Sequence, residues 1–194
     1  MRKLLYCALM ITLLSGCSSS GQGNKAESLA LDIRTEYLAI TSFSANAALT
    51  ADYGHRVYQY ELDVTAQNDT TTLTLTAPET IAGITAQINN TNDNATLVYE
   101  DLSLETGPLN QNELTPMSAI PAMLEAVCSG YLTACTFEEN GLLRMDCGEP
   151  DVPVGTGTEL SLWFEPETHL PVQGEIRVNG FRHISCTFSN VTKE

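Results

Sequence analysis

At Thr41 the hydrophobic period of this chain changes from that of a helix to that of a strand. Upstream, Glu27 to Ile40 sets Leu29, Ile33, Tyr37 and Ile40 at steps of four, four and three, with Asp32, Arg34, Thr35 and Glu36 between them. That spacing gathers the apolar side chains on one face of a helix. Downstream the step is two: Phe43, Ala45, Ala47, Leu49, Ala51 and Tyr53 alternate with Ser44, Asn46, Thr50 and Asp52. Alternation of this kind puts apolar and polar side chains on opposite faces of a strand. A chain that opens so must bury a helix against one face of a sheet.

The strand period then recurs. Arg56 to Ala66 carries Tyr58, Tyr60, Leu62 and Val64 on one face, Thr70 to Ala77 carries Leu73 and Leu75, and Ile81 to Ile88 and Thr96 to Leu104 follow. Gln67-Asn68-Asp69 and Asn89 to Asn94 read as the turns between them. Thr115 before Pro116 is an N-cap before a first-turn proline, so Met117 to Val127 is predicted as a second helix, bent or restarted at Pro121. Strands return over about Thr133 to Glu139, Leu142 to Cys147, Glu159 to Glu165, Val172 to Val178 and Phe181 to Phe188, with Asn140-Gly141 and Asn179-Gly180 as hairpin turns. The pattern predicts a single α+β domain: a large antiparallel sheet with two helical segments against one face.

Ahead of the domain stand Arg2 and Lys3, an apolar run from Leu4 to Leu14, and the small residues Ser15 and Gly16. These are the parts of a secretory signal peptide, and the apolar run is too short for a membrane span of roughly 20 residues. Leu14-Ser15-Gly16-Cys17 resembles the bacterial lipobox, which implies cleavage between Gly16 and Cys17 and a lipid on the Cys17 thiol. Two or three acyl chains hold firmly, since each buried methylene contributes about 0.8 kcal/mol. The expected organisation is a signal peptide over residues 1–16, a lipidated flexible tether over 17–26, and the folded domain over 27–194. The expected location is the extracytoplasmic side of the cell membrane, with the lipid anchor as the membrane contact.

Removing residues 1–16 from the 194 leaves 178, with seven Lys and Arg against 24 Asp and Glu, enough chain for one sizeable core. The resulting charge of −17 repels polyphosphates and anionic headgroups, which argues against nucleic acid as a partner. Four cysteines then remain, Cys128, Cys135, Cys147 and Cys186. Outside the cytoplasm they favour two disulfides in one of three connectivities. Without a CxxC pair, a metal site built from His183, Cys186 and the other thiols is the weaker reading. Four Asn-x-Ser/Thr sequons, at Asn68, Asn89, Asn94 and Asn190, read as turn chemistry in a chain with a bacterial lipobox.

Catalytic patterns are absent from the sequence: it has no GxSxG elbow, no HExxH, no phosphate-cradling glycine loop and no calcium loop. His55, His169 and His183 fall in or beside turns and strands, and Glu165 and Glu167 flank Pro166 as acidic residues commonly do in so acidic a chain. The chain reads as non-enzymatic, with no cofactor. Trp163 lies in a strand that alternates Leu160, Leu162 and Phe164, so it faces the other side and reads as packing, with ligand stacking the lesser alternative. The alanines carry more information. Ala45, Ala47 and Ala51, with Ala66, Ala77, Ala82 and Ala86, leave volume on the inner face of a curved sheet unless large neighbours fill it. An apolar cavity and a core filled by helix Leu and Met side chains both fit the pattern.

The phrases "YLAITSFSANAALTADYGHRVYQYELDV", "APETIAGITAQI", "LTPMSAIPAMLEAVCSGY" and "LWFEPETHLPVQGEIRVNGFRHISCTFSN" together resemble the lipoprotein-carrier superfamily typified by LolA and LolB. They are nearer still to clostridial lipoproteins of that kind, which include the spore germination lipoprotein. The resemblance spans about residues 27–190 and implies a strongly curved, unclosed antiparallel β-barrel, a half-barrel, with helices covering its mouth. It also implies an apolar interior that receives acyl chains in the carrier members, whereas other lipid-anchored members act on lipids or as partners in envelope or spore assembly. On that template the cavity would be lined by Phe43, Ala45, Ala47, Leu49, Tyr58, Tyr60, Leu62, Leu73 and Leu75. Cys135 and Cys147 flank the Asn140-Gly141 turn almost symmetrically, so they can bridge if the register sets them opposite each other, leaving Cys128 and Cys186 as a second pair. Two functions follow: a lipid-anchored protein that binds an acyl chain or other apolar ligand, or a scaffold that meets another envelope protein and has no ligand cavity.

Overall fold

The computed structural model describes residues 20–92, 94–108 and 115–194, the side chains of 20–22 aside. Helix α1 (Ser20–Ala39) precedes six strands, β1 (Ser42–Asp52), β2 (Val57–Gln67), β3 (Thr70–Ala77), β4 (Thr85–Asn89), β5 (Asn94–Tyr99) and β6 (Leu102–Pro108). Helix α2 (Pro116–Ser129) follows, and then β7 (Tyr131–Phe137), β8 (Leu143–Gly148), β9 (Thr158–Phe164), β10 (Pro171–Val178) and β11 (Phe181–Lys193). All eleven strands form one sheet in the order β6-β5-β4-β3-β2-β1-β11-β10-β9-β8-β7. Every pairing is antiparallel.

Among the described residues the sheet does not close, and they form an α+β half-barrel with two helices on its inner face. Its topology gives α2 a defined task. The first six strands run outward to one edge of the sheet, the last five run inward from the other, and β11 pairs with β1 in the middle. The connection from β6 to β7 therefore crosses from edge to edge, and α2 lies within it. The inner-face side chains Ala45, Ala47, Leu49, Leu62, Leu73, Leu143, Met145, Leu162, Phe164, Ile176 and Ile184 form one core with Ala30, Ile33 and Tyr37 of α1 and Ile120, Met123 and Val127 of α2.

Local chemistry explains how α2 is held. Thr115 and Ser118 form a reciprocal capping box, which satisfies amides left free in a first helical turn. Pro121 removes the amide that would bond to the Met117 carbonyl. At the far end Arg34 of α1 donates from Nε to the Val127 carbonyl at 2.9 Å and from Nη2 to Gly130 at 2.7 Å and Ala126 at 3.3 Å. A cation thus meets the carbonyls at the C-terminus of the helix, where partial negative charge accumulates.

Three boundaries differ from the sequence reading. Helix α1 begins at Ser20, inside the stretch read as tether, and Ala26 is already buried at 1 % exposure; the small polar residues propagate a helix that is packed at its far end. The stretch read as one strand over Thr96 to Leu104 is the β5–β6 hairpin, which turns at Glu100, a non-glycine residue with φ of +51°. Its turn carries none of the Gly or Asn that mark such a site in sequence. Finally, β4 begins only at Thr85, because Glu79–Ile81 is a 3₁₀ turn.

Candidate functional site

The inner face leaves an apolar cavity of about 280 Å³ beneath the first turn of α2. Its walls are Tyr60 and Leu62 of β2, Leu73 and Leu75 of β3, Ile81 and Ile84 of the following turn, Ala86 of β4 and Leu97 of β5, and Pro116 and Met117 of α2 roof it. Of these ten side chains only Tyr60 carries a hydroxyl. The volume corresponds to about nine times the ~30 Å³ share of one liquid water, and the lining offers such a molecule few of the polar partners it needs. A site like this suits an alkyl segment.

Why the space exists can be traced to individual residues. Met123 sits over the seam of β10 because Gly174 has no side chain: a Cβ there would lie 2.5 Å from Met123 Sδ. Close approach on that side fixes α2 over β9 and β10, while on the other side the small Ala86 lies in the lining beneath the roof. With α1 against β7 and β8 and α2 against β9 and β10, the inner face of β2–β5 is left partly open. A second recess, of about 320 Å³, lies at the opposite end of α2 among Tyr37, Phe43, Ala66, Thr71, Asn90, Pro121, Leu124 and Cys128. Its walls are mixed, and Thr71 and Asn90 are already paired at 2.9 Å.

Of the residues expected to line a cavity, Tyr60, Leu62, Leu73 and Leu75 do so together, and Phe43 borders the second recess. Ala45, Ala47 and Leu49 are buried at 5 %, 3 % and 1 % within the core and line neither of these two, although Leu49 borders a recess of about 440 Å³ with Tyr60, Ala77 and Pro78 and Ala47 one of about 310 Å³ with Leu62. Tyr58 stands at the rim, half exposed, stacked on Tyr60 with ring centres 6.5 Å apart and edge-on to Tyr53 at 6.1 Å. The sequence reading missed Ile81, Ile84, Leu97, Pro116 and Met117. They come from a 3₁₀ turn, a strand assigned different limits and the first turn of a helix, so no shared period marks them.

Gly16 and Cys17 lie outside the described residues, as does the start of the tether. The cysteine expectation needs correcting. In the β7–β8 hairpin Cys135 is opposite Met145 and Cys147 is opposite Leu132, with a bulge between Leu132 and Ala134. The two thiols are diagonal rather than facing, and Cys128, Cys135, Cys147 and Cys186 are all free. Burial pushes the Cys147 thiol up to about 11 and the Cys186 thiol up to about 12, so both are held as neutral thiols. Burial also raises Cys128 and Cys135.

The remaining sequence candidates lie apart from the cavity. Trp163 is on the outer face of the sheet with the Arg144 guanidinium 5.3 Å above its ring. The outer face there also carries Glu175, 4 % exposed and bonded by Arg177, Arg182 and Gln173. His55 contacts the Tyr53 carbonyl in the β1–β2 turn, and His183 packs edge-on against Phe181. His169 Nδ1 lies 2.6 Å from Glu36 Oε2, and Lys193 Nζ lies 2.8 Å from Glu36 Oε1. Those contacts tie the end of α1 to the β9–β10 turn and to the last strand. Glu165 accepts a hydrogen bond from Thr168. Among the described residues no three His, Cys, Asp or Glu side chains gather to hold a metal ion, and no helix is long and apolar enough to cross a membrane.

Neither a family model nor a curated protein sequence matches the chain. Solved structures do. An uncharacterised conserved protein from Thermus thermophilus aligns over 87 % of both chains at 8 % identity with a TM-score of 0.50. A LolA superfamily protein from Nitrosomonas europaea aligns over 87 % of this chain and 93 % of its own at 13 % identity, with a TM-score of 0.45. A chain from the Clostridioides difficile complex of the CwlD amidase with the GerS lipoprotein covers 84 % and 93 % at 12 % identity, with a TM-score of 0.44. At these identities the likeness is one of fold alone, and the Thermus thermophilus protein, the one of the three that reaches a TM-score of 0.50, shares the overall architecture of this chain.

Proposed function

We propose that this protein is a lipid-anchored, extracytoplasmic binding protein whose half-barrel holds an acyl chain or a similar apolar ligand beneath α2. The observation that carries the reading is the lining of the cavity, ten side chains with a single hydroxyl among them. A pocket without charged groups, nucleophile or general base selects by shape and hydrophobicity, so the role is binding rather than turnover. Each methylene moved from water into such a lining is worth about 0.8 kcal/mol, which makes even a short alkyl segment a worthwhile occupant.

The anchor is the second part of the reading. The leader over residues 1–16 and the lipobox at Cys17 support a position on the extracytoplasmic side of the cell membrane, within reach of bilayer lipids and envelope proteins. Native mass spectrometry of the protein purified from its own membranes, with Cys17→Ser as the unanchored form, tests both parts. The expected result is a non-covalent adduct with the mass of an acyl lipid on the Cys17→Ser form and an added covalent lipid mass on the native form. A bare polypeptide mass in both cases overturns the proposal.

A further inference from the structure

The two edges of the sheet are treated differently. The β7 edge has α1 packed against it, whereas among the described residues β6 is hydrogen-bonded in the sheet on one side only, to β5. An edge of this kind presents unpaired N–H and C=O groups, a template for another strand. Its side chains add to the template. Leu104 is opposite Leu97 and Leu102 is opposite Tyr99, so both share the face on which Leu97 lines the cavity. Leu102 is 74 % exposed, Leu104 63 % and Tyr99 43 %, and together they extend the apolar inner face out to solvent.

Charge restricts what can add there. Residues 57–108, the stretch that holds β2–β6, contain eight Asp and Glu and no Lys, Arg or His, so this run of strands is an anion without counter-charge of its own. On the outer face of the edge Glu105 is exposed, and Glu100 and Asp101 form the adjoining turn. A second copy pairing edge to edge would bring carboxylates against carboxylates, and opposed like charges destabilise a pair of strands. An anionic lipid surface is repelled in the same way, and an acyl chain has no donors or acceptors for the exposed backbone. We infer that the β6 edge docks an extended segment of a partner protein in which apolar residues alternate with lysine or arginine. The segment adds as a twelfth strand, with its apolar side chains on Tyr99, Leu102 and Leu104 and its cations beside Glu105.

This surface is separate from the cavity reading, and one titration tells them apart. A blocked peptide of alternating lysine and valine is added to the Cys17→Ser protein at low salt, followed by backbone amide NMR and hydrogen exchange. The expected result is saturable binding with shifts confined to β5 and β6, slowed exchange along β6, and at least ten-fold weaker binding of a glutamate–valine peptide. Glu105→Lys, an exposed site that leaves the fold alone, should weaken binding several-fold, and Ser103→Pro should abolish it. Met117→Trp, which fills the cavity, should leave it unchanged. Equal binding of the two peptides, indifference to both edge variants, or a stronger response of β6 to phosphatidylglycerol vesicles than to the peptide overturns the inference.

Discussion

Gly174 and Met123 are packed so closely that the absence of one side chain defines the position of the other: a Cβ on Gly174 would fall 2.5 Å from Met123 Sδ and 3.0 Å from its Cε. Through this contact β10 sets the depth at which α2 crosses the half-barrel. Gly174→Ala should therefore destabilise the protein by about 1–3 kcal/mol, the usual cost of an overpacked core. The cost should shrink in a Met123→Ala background. Denaturant unfolding of the four members of this cycle reads the coupling, and additive effects would show that the contact does not position the helix.

Arg34 satisfies three carbonyls at the end of α2 from a position on α1. Replacement by methionine keeps much of the stem and removes the donors. The expected loss is about 2 kcal/mol, the scale of a hydrogen bond made by a charged group, together with faster exchange of the last amides of α2. Hydrogen exchange followed by mass spectrometry checks both the size and the place of the effect.

The Lys193 ammonium, followed by His169, holds the Glu36 carboxyl below its ordinary 4.5 despite the opposing effect of burial. A folded-state value depressed in this way contributes stability that is present above 4.5 and is lost as pH falls through the folded value. Glu36→Gln should accordingly be less stable than the wild type at pH 7 by a modest amount, since the pair is solvent-screened. The difference should shrink as pH falls from 4.5 through the folded value, which thermal unfolding across the acid range will show.

Because Cys147 and Cys186 are buried neutral thiols whereas Cys128 and Cys135 are half-buried, alkylation under native conditions should mark the latter pair first. Thiolate is the reacting form, so the buried pair should label only after unfolding. Peptide mapping after timed labelling at pH 8 gives the order. With no bridge to break, the midpoint of thermal unfolding should be the same with and without reductant.

How the sequence relates to this fold is clearest at particular residues. The alternation from Phe43 to Tyr53 and from Tyr58 to Val64 marks β1 and β2 and their inner faces, because one side of each strand is buried and the other is wet. Thr115-Pro116 marks the start of α2, and the Asn179-Gly180 turn, with φ of +52° and +77°, marks the last hairpin. The β5–β6 turn was illegible because Glu100 adopts its left-handed conformation without glycine. The disulfide expectation fails on the register of the β7–β8 turn: Phe137 pairs with Leu143, which sets Cys135 opposite Met145, two residues from Cys147. Four lining residues were readable as strand positions, while the roof, Pro116 and Met117, depends on where a helix lands after crossing the whole sheet.

The central claim is that the space beneath α2 receives an alkyl chain, and a fluorescent long-chain fatty acid titrated into the protein tests it most directly. The account predicts saturable binding at one site per chain, weakened ten-fold or more by Met117→Trp, with the circular dichroism of the variant unchanged. Absence of saturable binding, or a Met117→Trp variant that binds as tightly as the wild type, would contradict it.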